Sequence, residues 1–366
     1  MSTSSRKIEH LNLCAEKDVE SHPYLGTKSG FDDIFLIPTA LPEIDKDDIN
    51  TEVTFLNKRL AFPLMISSMT GGHPDTTAVN RALAEAAQEL GIGIGVGSQR
   101  AALEDPTQEE SFRVVRDAAP DAFVYGNIGA AQLVEYNVDD IERAVDMIDA
   151  DAMALHLNFL QEAVQPEGDT NACGCLAAIE NLCRKLSVPV IVKETGAGIS
   201  RTDAQALFNA GVSAIDVGGV GGTSWAGVEV YRAKARGDRV HEHMGELFWN
   251  WGMPTALSVM ESNVGIPVIA TGGIRTGIDI AKSIAIGASV CATALPLVKP
   301  ALSGTSDVVK AITAMTDELQ TAMFLTGCNN VAKLQNTPVV ITGRTREILD
   351  ARGIEHIPFA RRDIIA

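Results

Sequence analysis

No apolar run in this chain approaches the roughly 18 residues that a membrane-crossing helix needs. The opening residues, Met1-Ser-Thr-Ser-Ser-Arg6-Lys7, lack the apolar stretch of a secretory signal, so a cytoplasmic location is expected. Cysteine is scarce. Six thiols, at 14, 173, 175, 183, 291 and 328, are too irregular for a disulfide framework and suit a reducing compartment. Cys173-Gly-Cys175 lacks zinc spacing, and His241-Glu-His243 with Glu246 reads as a solvated helix face. Positive charge is short as well: 30 Lys and Arg face 47 Asp and Glu, a net charge of −17. Such a chain has no electrostatic footprint for nucleic acid, and anionic membranes repel it. An anionic ligand then requires a local basic pocket. There is no Walker A sequence. Gly91, Gly93, Gly95 and Gly97 alternate, but Ser98 and Arg100 break every G-x-G-x-x-G register.

What is present is a buried core, with 46 % hydrophobic and 21 % charged residues. Short runs rich in Val, Ile and Ala recur, each followed by a helical pattern. Runs at 64–67, 93–96, 122–126, 153–157, 188–192, 214–217, 267–270 and 289–292 precede helices near 77–90, 108–118, 138–149, 174–186, 202–210, 254–262, 276–286 and 306–325. The runs are uniformly apolar rather than alternating, as parallel strands buried on both faces must be. Eight strand–helix units predict a (β/α)8 TIM barrel, with its chemistry on the loops after the strands. Residues 1–60 read as an N-terminal extension, 61–330 as the barrel and 331–366 as a tail packed on it, with a strand-like run at 338–342.

Polar or glycine residues stand at every strand end: Ser68-Met-Thr70, Gly97-Ser-Gln-Arg100, Asn127, His156-Leu-Asn158, Lys193-Glu194, Gly218 to Ser224, Gly272-Gly-Ile-Arg275 and Thr293-Ala-Leu295. Gly272, Gly273 and Arg275 ahead of a helix offer N–H groups, a helix N-terminus and a guanidinium, which is a phosphate site by mechanism. It falls at the seventh and eighth strands, where barrels commonly hold phosphate. Lys193 at a strand tip suits an anionic reduced flavin. These loops alone imply a phosphate-bearing cofactor in a barrel and no particular reaction.

The motifs Arg6-Lys-Ile-Glu-His10, Ser68-Met-Thr-Gly-Gly72, Gly97-Ser-Gln-Arg100, Asn127, His156-Leu-Asn-x-x-Gln-Glu162, Lys193-Glu-Thr-Gly196, Gly221-Gly-Thr-Ser-Trp225 and Gly272-Gly-Ile-Arg-Thr-Gly277 run in order from residue 6 to about 296. Together they resemble type 2 isopentenyl diphosphate isomerase. The resemblance implies interconversion of isopentenyl and dimethylallyl diphosphate by a 1,3-proton shift in isoprenoid biosynthesis, through a tertiary carbocation. It implies FMN, reduced and acting as acid/base, together with Mg²⁺, NADPH as reductant of the flavin, and a homo-oligomer, tetramer or octamer. It implies that Ser68, Met69, Thr70, Ser98, Asn127, Lys193, Gly218, Thr223, Gly273, Ile274, Arg275, Ala294 and Leu295 hold FMN. It implies that Arg6, Lys7, Ser98, Gln99, Arg100, His156, Asn158 and Gln161 hold the substrate, with His156, Asn158 and Gln161 donating hydrogen bonds. Glu162 is the implied Mg²⁺ ligand, and Gln161 and Glu229 the implied catalytic pair.

Two other readings stay open at this point. An FMN-dependent oxidase or dehydrogenase of a 2-hydroxy acid needs a strong base over the substrate carbon, and His156 is the strand-end candidate. A non-catalytic phosphate-ligand sensor needs no carboxylate such as Glu162 for a metal.

Overall fold

A computed structural model describes residues 3–21 and 28–362. Its strands in chain order are β1 (Ile34–Leu36), β2 (Val53–Phe55), β3 (Lys58–Leu60), β4 (Leu64–Ile66), β5 (Gly93–Gly95), β6 (Val124–Gly129), β7 (Ala152–Leu157), β8 (Val190–Glu194), β9 (Ala214–Asp216), β10 (Val268–Ala270), β11 (Val290–Thr293) and β12 (Val339–Ile341). Strands β4 to β11 pair in parallel with their chain neighbours, and β11 closes on β4, so the barrel expected from the alternating pattern is present. Closure leaves no free edge in that sheet. Inside it pack Met65, Tyr125, Ile191, Ile269 and Val290, while a second apolar layer lies between the strands and the outer helices. Both faces of the strands are therefore buried, which explains their unbroken apolar runs.

The barrel has one closed end and one functional end. The β2–β3 hairpin turns through Leu56 and Asn57, both at positive φ. Phe55 and Leu60 pack on the barrel interior, with Phe55 edge-on to Phe123 at 5.5 Å. That plugs the N-terminal end of the strands. The opposite end carries the loops and is crossed by the helix Thr3–Glu16, which packs against the helices Trp225–Arg236 and Leu295–Ser303. Strand β1 pairs antiparallel with β12, tying the N-terminal extension to the tail.

Two strands sit further along the chain than their apolar runs suggested. Strand β6 extends to Gly129 because its ladder with β7 continues through Asn127↔Ala154 to Gly129↔His156. Strand β8 reaches Glu194 through His156↔Lys193 and Leu157↔Glu194. Polar side chains ended the runs in the sequence. In the fold these residues are paired backbone whose side chains face the mouth. The helices Phe159–Val164 and Arg239–Leu247 are additions to the eight-unit pattern.

Candidate active site

A cavity of about 230 Å³ opens at the C-terminal ends of the barrel strands. Of the residues singled out in the sequence, only Gln99 and Glu229 are missing from its wall. Gln99 is fully buried and faces outward. Its amide donates to the carbonyl of Ala144 at 2.7 Å, and its Oε1 accepts from the N–H of Asn127 at 3.0 Å. The expected substrate contact of Gln99 is thus replaced by a bond that fixes the tip of β6. Glu229 is also buried and stands behind the cavity wall rather than on an exposed helix face.

The side of the mouth after β9, β10 and β11 is made largely of backbone. Gly272 and Gly273 hold φ of 97° and 81°, and a Cβ on either would strike the carbonyl of Gly219 or Gly221. The two loops touch through glycine because no side chain fits between them. The helix Gly277–Ala285 departs from expectation here. Thr276 and Asp279 form a capping box, and Asp279 Oδ2 takes the N–H groups of Arg275 at 3.0 Å and Thr276 at 2.9 Å. Glu318 takes the N–H of Gly277 at 2.7 Å. The N–H groups of that helix end are taken up by carboxylates and are not offered to a ligand. The helix Leu295–Ser303 instead starts on the cavity wall with no side-chain cap at Ala294. Its N-terminus supplies the partial positive charge. Arg275 Nε donates to Glu20 Oε1 at 2.8 Å, so its guanidinium is shared with the N-terminal segment. Thr70 Oγ1 is buried on the same wall with no hydrogen-bond partner among the described residues.

The other side is made of side chains. Arg6 and Lys7 reach in from the helix Thr3–Glu16, and Arg100 from the loop after β5. Burial and the charges of Arg6 and Arg100 push the Lys7 ammonium down to about 8. Among the described residues no carboxylate lies within 4 Å of Lys7. His156 is held down to about 3 by burial and by the cations of Lys193 and Lys7, so it is neutral. Asn127 Nδ2 donates to the carbonyl of Val96 at 3.2 Å, which leaves Oδ1 to face His156 Nδ1 at 2.9 Å. The ring hydrogen therefore sits on Nδ1, and Nε2 is an acceptor. The expected hydrogen-bond donation from His156 to substrate is corrected: this imidazole accepts one.

Glu162 is buried. Its Oε1 accepts from Asn158 Nδ2 at 2.8 Å, and its Oε2 from Gln165 Nε2 and the N–H of Asp169, both at 2.7 Å. One donor on Oε1 leaves lone-pair capacity toward the cavity. Among the described residues no three acidic, His or Cys side chains converge as a metal cage. One carboxylate beside a cationic phosphate site is a donor set suited to Mg²⁺, which keeps waters and binds largely through substrate phosphate. Gln161 Nε2 donates to Glu229 Oε1 at 3.0 Å, and His10 Nε2 lies 3.2 Å from the same oxygen. Burial works to raise the Glu229 carboxyl, but His10 and the guanidinium of Arg232 more than offset it and hold it below the usual range.

The floor holds Lys193, whose Nζ donates to the carbonyl of Glu194 at 3.0 Å. Burial pushes the Glu194 carboxyl up to about 7, although the N–H groups of Ala197, Gly196 and Thr195 oppose that. Burial raises Asp216 too, against the charge of Lys193 and a hydrogen bond from Thr271. Sequence reasoning gave no role to His10, Gln132, Gln165, Glu194 or Trp225, all on the cavity wall. For His10 a signal existed: four residues after Arg6, it shares that face of the helix.

A family model described as FMN-dependent dehydrogenase matches residues 162–341. The isopentenyl-diphosphate delta-isomerase of Methanosarcina barkeri is 64 % identical over 351 residues, covering 96 % of this chain and 95 % of that one. The protein of the same name from Archaeoglobus fulgidus is 54 % identical, covering 96 % and 100 %. That from Halobacterium salinarum is 52 % identical, covering 96 % and 97 %. Among solved structures, a mandelate oxidase variant with a C4a-OH-FMN adduct superposes at a TM-score of 0.63 with 20 % identity, covering 91 % of this chain and 95 % of that one. At that identity the likeness shows the fold alone.

Proposed function

The chain belongs to the isopentenyl-diphosphate delta-isomerase family and is an FMN-binding isomerase that interconverts isopentenyl and dimethylallyl diphosphate; from that premise we propose how its two walls divide the work. The observation that carries this division is the convergence of Arg6, Lys7 and Arg100 on one wall, with Lys7 buried and facing no carboxylate within 4 Å among the described residues, in a chain of net charge −17. Cations are buried together when an anion completes the site. The substrate diphosphate is that anion. Asn158 and Ser98, both on the cavity wall, would join in holding it. Glu162 would be the protein ligand of Mg²⁺ held on the diphosphate side.

The glycine wall fits FMN. The uncapped N-terminus of Leu295–Ser303, the Gly218 to Thr223 and Gly273-Ile274 loops, and Arg275 hold the phosphate. Ser68, Met69, Thr70, Asn127 and Lys193 hold the ring system, and the unpartnered Thr70 hydroxyl is the buried polar atom that such a ligand satisfies. When bound and reduced by NADPH, FMN supplies an electron-rich ring able to exchange a proton with the alkene.

The protein supplies orientation and exclusion of water. Glu229 fixes Gln161 through its amide N–H, so Gln161 Oε1 is presented to the cavity. Glu229, the buried carboxylate directly behind Gln161, assists proton relay from that position. His156, an acceptor at Nε2, would take a hydrogen bond from a protonated phosphate oxygen. The barrel with its 1–60 extension and 331–366 tail acts in the cytoplasm as a homo-oligomer, tetramer or octamer. The test is an anaerobic assay of isopentenyl diphosphate with FMN, Mg²⁺ and NADPH, repeated without each. Turnover to dimethylallyl diphosphate with no net NADPH consumption is expected. Oxidation of a 2-hydroxy acid in its place would overturn the reading.

A further inference from the structure

Behind the cavity lies a charged cluster centred on Arg232, a residue to which the reading above gives no role. Arg232, on the helix Trp225–Arg236, is buried with only 1 % of its side chain exposed, and its three guanidinium nitrogens go to three different segments. Nη1 donates to Glu229 Oε2 on its own helix at 2.5 Å. Nε donates at 3.1 Å to Glu9 Oε2, on the helix that carries Arg6 and Lys7. Nη2 donates at 2.5 Å to Glu167 Oε1, just beyond the helix that carries Gln161 and Glu162. One turn on, Arg236 repeats the pattern at longer range, 3.4 Å to Glu9 and 3.6 Å to Glu167, and Arg6 reaches Glu167 at 4.0 Å.

We propose that Arg232 is a positioning residue that locks the cationic N-terminal helix onto the pair Gln161 and Glu229, so that capture of the diphosphate and orientation of the proton-handling pair are set by one guanidinium. The inference rests on the reading that Arg6 and Lys7 hold the diphosphate. Its physical basis is the planar fork of arginine: fixed donors address three carboxylates at once, which a lysine ammonium on a flexible stem cannot do. Glu9 transmits the lock outward to the helix. Glu229 transmits it inward, because the oxygen not held by Arg232 is the one facing Gln161 Nε2 and His10. The exposed pair Arg59–Glu52, on the hairpin at the far end of the barrel, has neither connection and serves as the control.

Two readouts separate positioning from general structure. The first needs no cofactor: the rate of tryptic cleavage at the exposed Lys17, and the Kd for inorganic pyrophosphate, in Glu9→Gln, Arg232→Lys and Arg59→Gln. Glu9→Gln and Arg232→Lys should speed cleavage about 10-fold or more and weaken pyrophosphate by a similar factor, since a released helix withdraws two cations. Arg59→Gln should match wild type. The second is a kinetic split. Glu9→Gln should raise KM about 10-fold with kcat within twofold, whereas Arg232→Lys should raise KM and also cut kcat about 10-fold, with FMN affinity unchanged. If Arg232→Lys fails to fold, Glu9→Gln alone decides. Unchanged cleavage and pyrophosphate affinity in Glu9→Gln overturn the lock. So does faster cleavage with wild-type KM. Wild-type protein that binds no pyrophosphate at all would sink the functional reading instead.

Discussion

The two walls of the mouth are made of different material. The glycine wall after β9 to β11 is backbone held rigid by touching loops, and its ligand contacts lie within a few residues of strand ends. The cationic wall consists of side chains brought from distant segments, two of them on a helix outside the barrel. A backbone wall is specified locally and tolerates little motion. A side-chain wall is complete only when the N-terminal helix is docked. Substitutions should therefore split by wall, with FMN affinity answering to one side and substrate parameters to the other.

Deleting residues 1–8 tests that split most severely. Two cations leave together, and each unmade charge-assisted bond costs about 1.5–3 kcal/mol, so kcat/KM should fall by at least about 10²-fold, chiefly through KM. FMN affinity should stay at the wild-type value. Turnover at low substrate equal to wild type would make the helix a bystander and erase the distinction between the walls.

Glu162→Gln comes next. The shape is kept and the charge removed, so the Mg²⁺ requirement should move to much higher concentration and kcat/KM should fall about 10²-fold, roughly 2.7 kcal/mol. The oxidised FMN spectrum should not change, because Glu162 stands on the diphosphate side. Wild-type Mg²⁺ dependence in this variant would place the metal on another carboxylate, with Glu229 next to test.

Arg275→Ala probes the glycine wall from the one position where that wall depends on a charged side chain. Loss of its charge-assisted bonds should weaken FMN binding by about 1.5–3 kcal/mol, read by flavin fluorescence titration. Glu20 shares this guanidinium, so part of the loss reflects the released N-terminal segment. Glu20→Ala in the Arg275→Ala background should add little if the two act as one pair.

The material of each wall also decides what the sequence could show. Glycines following apolar runs are contiguous in the chain, so the barrel, its mouth and most of the cavity wall were legible from Ser68 to Leu295. The capping of Gly277–Ala285 was written there too, as Thr276-Gly-Ile-Asp279, but the glycines ahead of it suggested an open helix end. Charge state was not legible. His156 is neutral because it is buried and because Lys193 and Lys7 converge on it, and both conditions arise only in the folded barrel. Gln99 lay one residue from two cavity residues and still points outward, since successive residues at a helix start face different directions. Glu229 was reached only through the family resemblance and Arg232 not at all, because a buried charge pair and a solvated i,i+3 pair look alike in a string of letters.

The smallest expected effect is the most specific to the cationic wall. Lys7 is pushed down to about 8 by burial and by Arg6 and Arg100, so free protein carries its charge below that pH and loses it above. A bound diphosphate favours the charged form and raises the value, so binding should take up protons near pH 8. The Kd for pyrophosphate should accordingly rise about tenfold between pH 7 and pH 9.5, the approximate value of one lost charge-assisted contact. Pyrophosphate gains charge of its own over that range, which pulls the other way. Comparison with Lys7→Met at each pH removes that contribution, and the ratio of the two affinities should fall toward one as pH rises. A ratio independent of pH would mean that Lys7 keeps its proton, because a carboxylate faces it in the free protein.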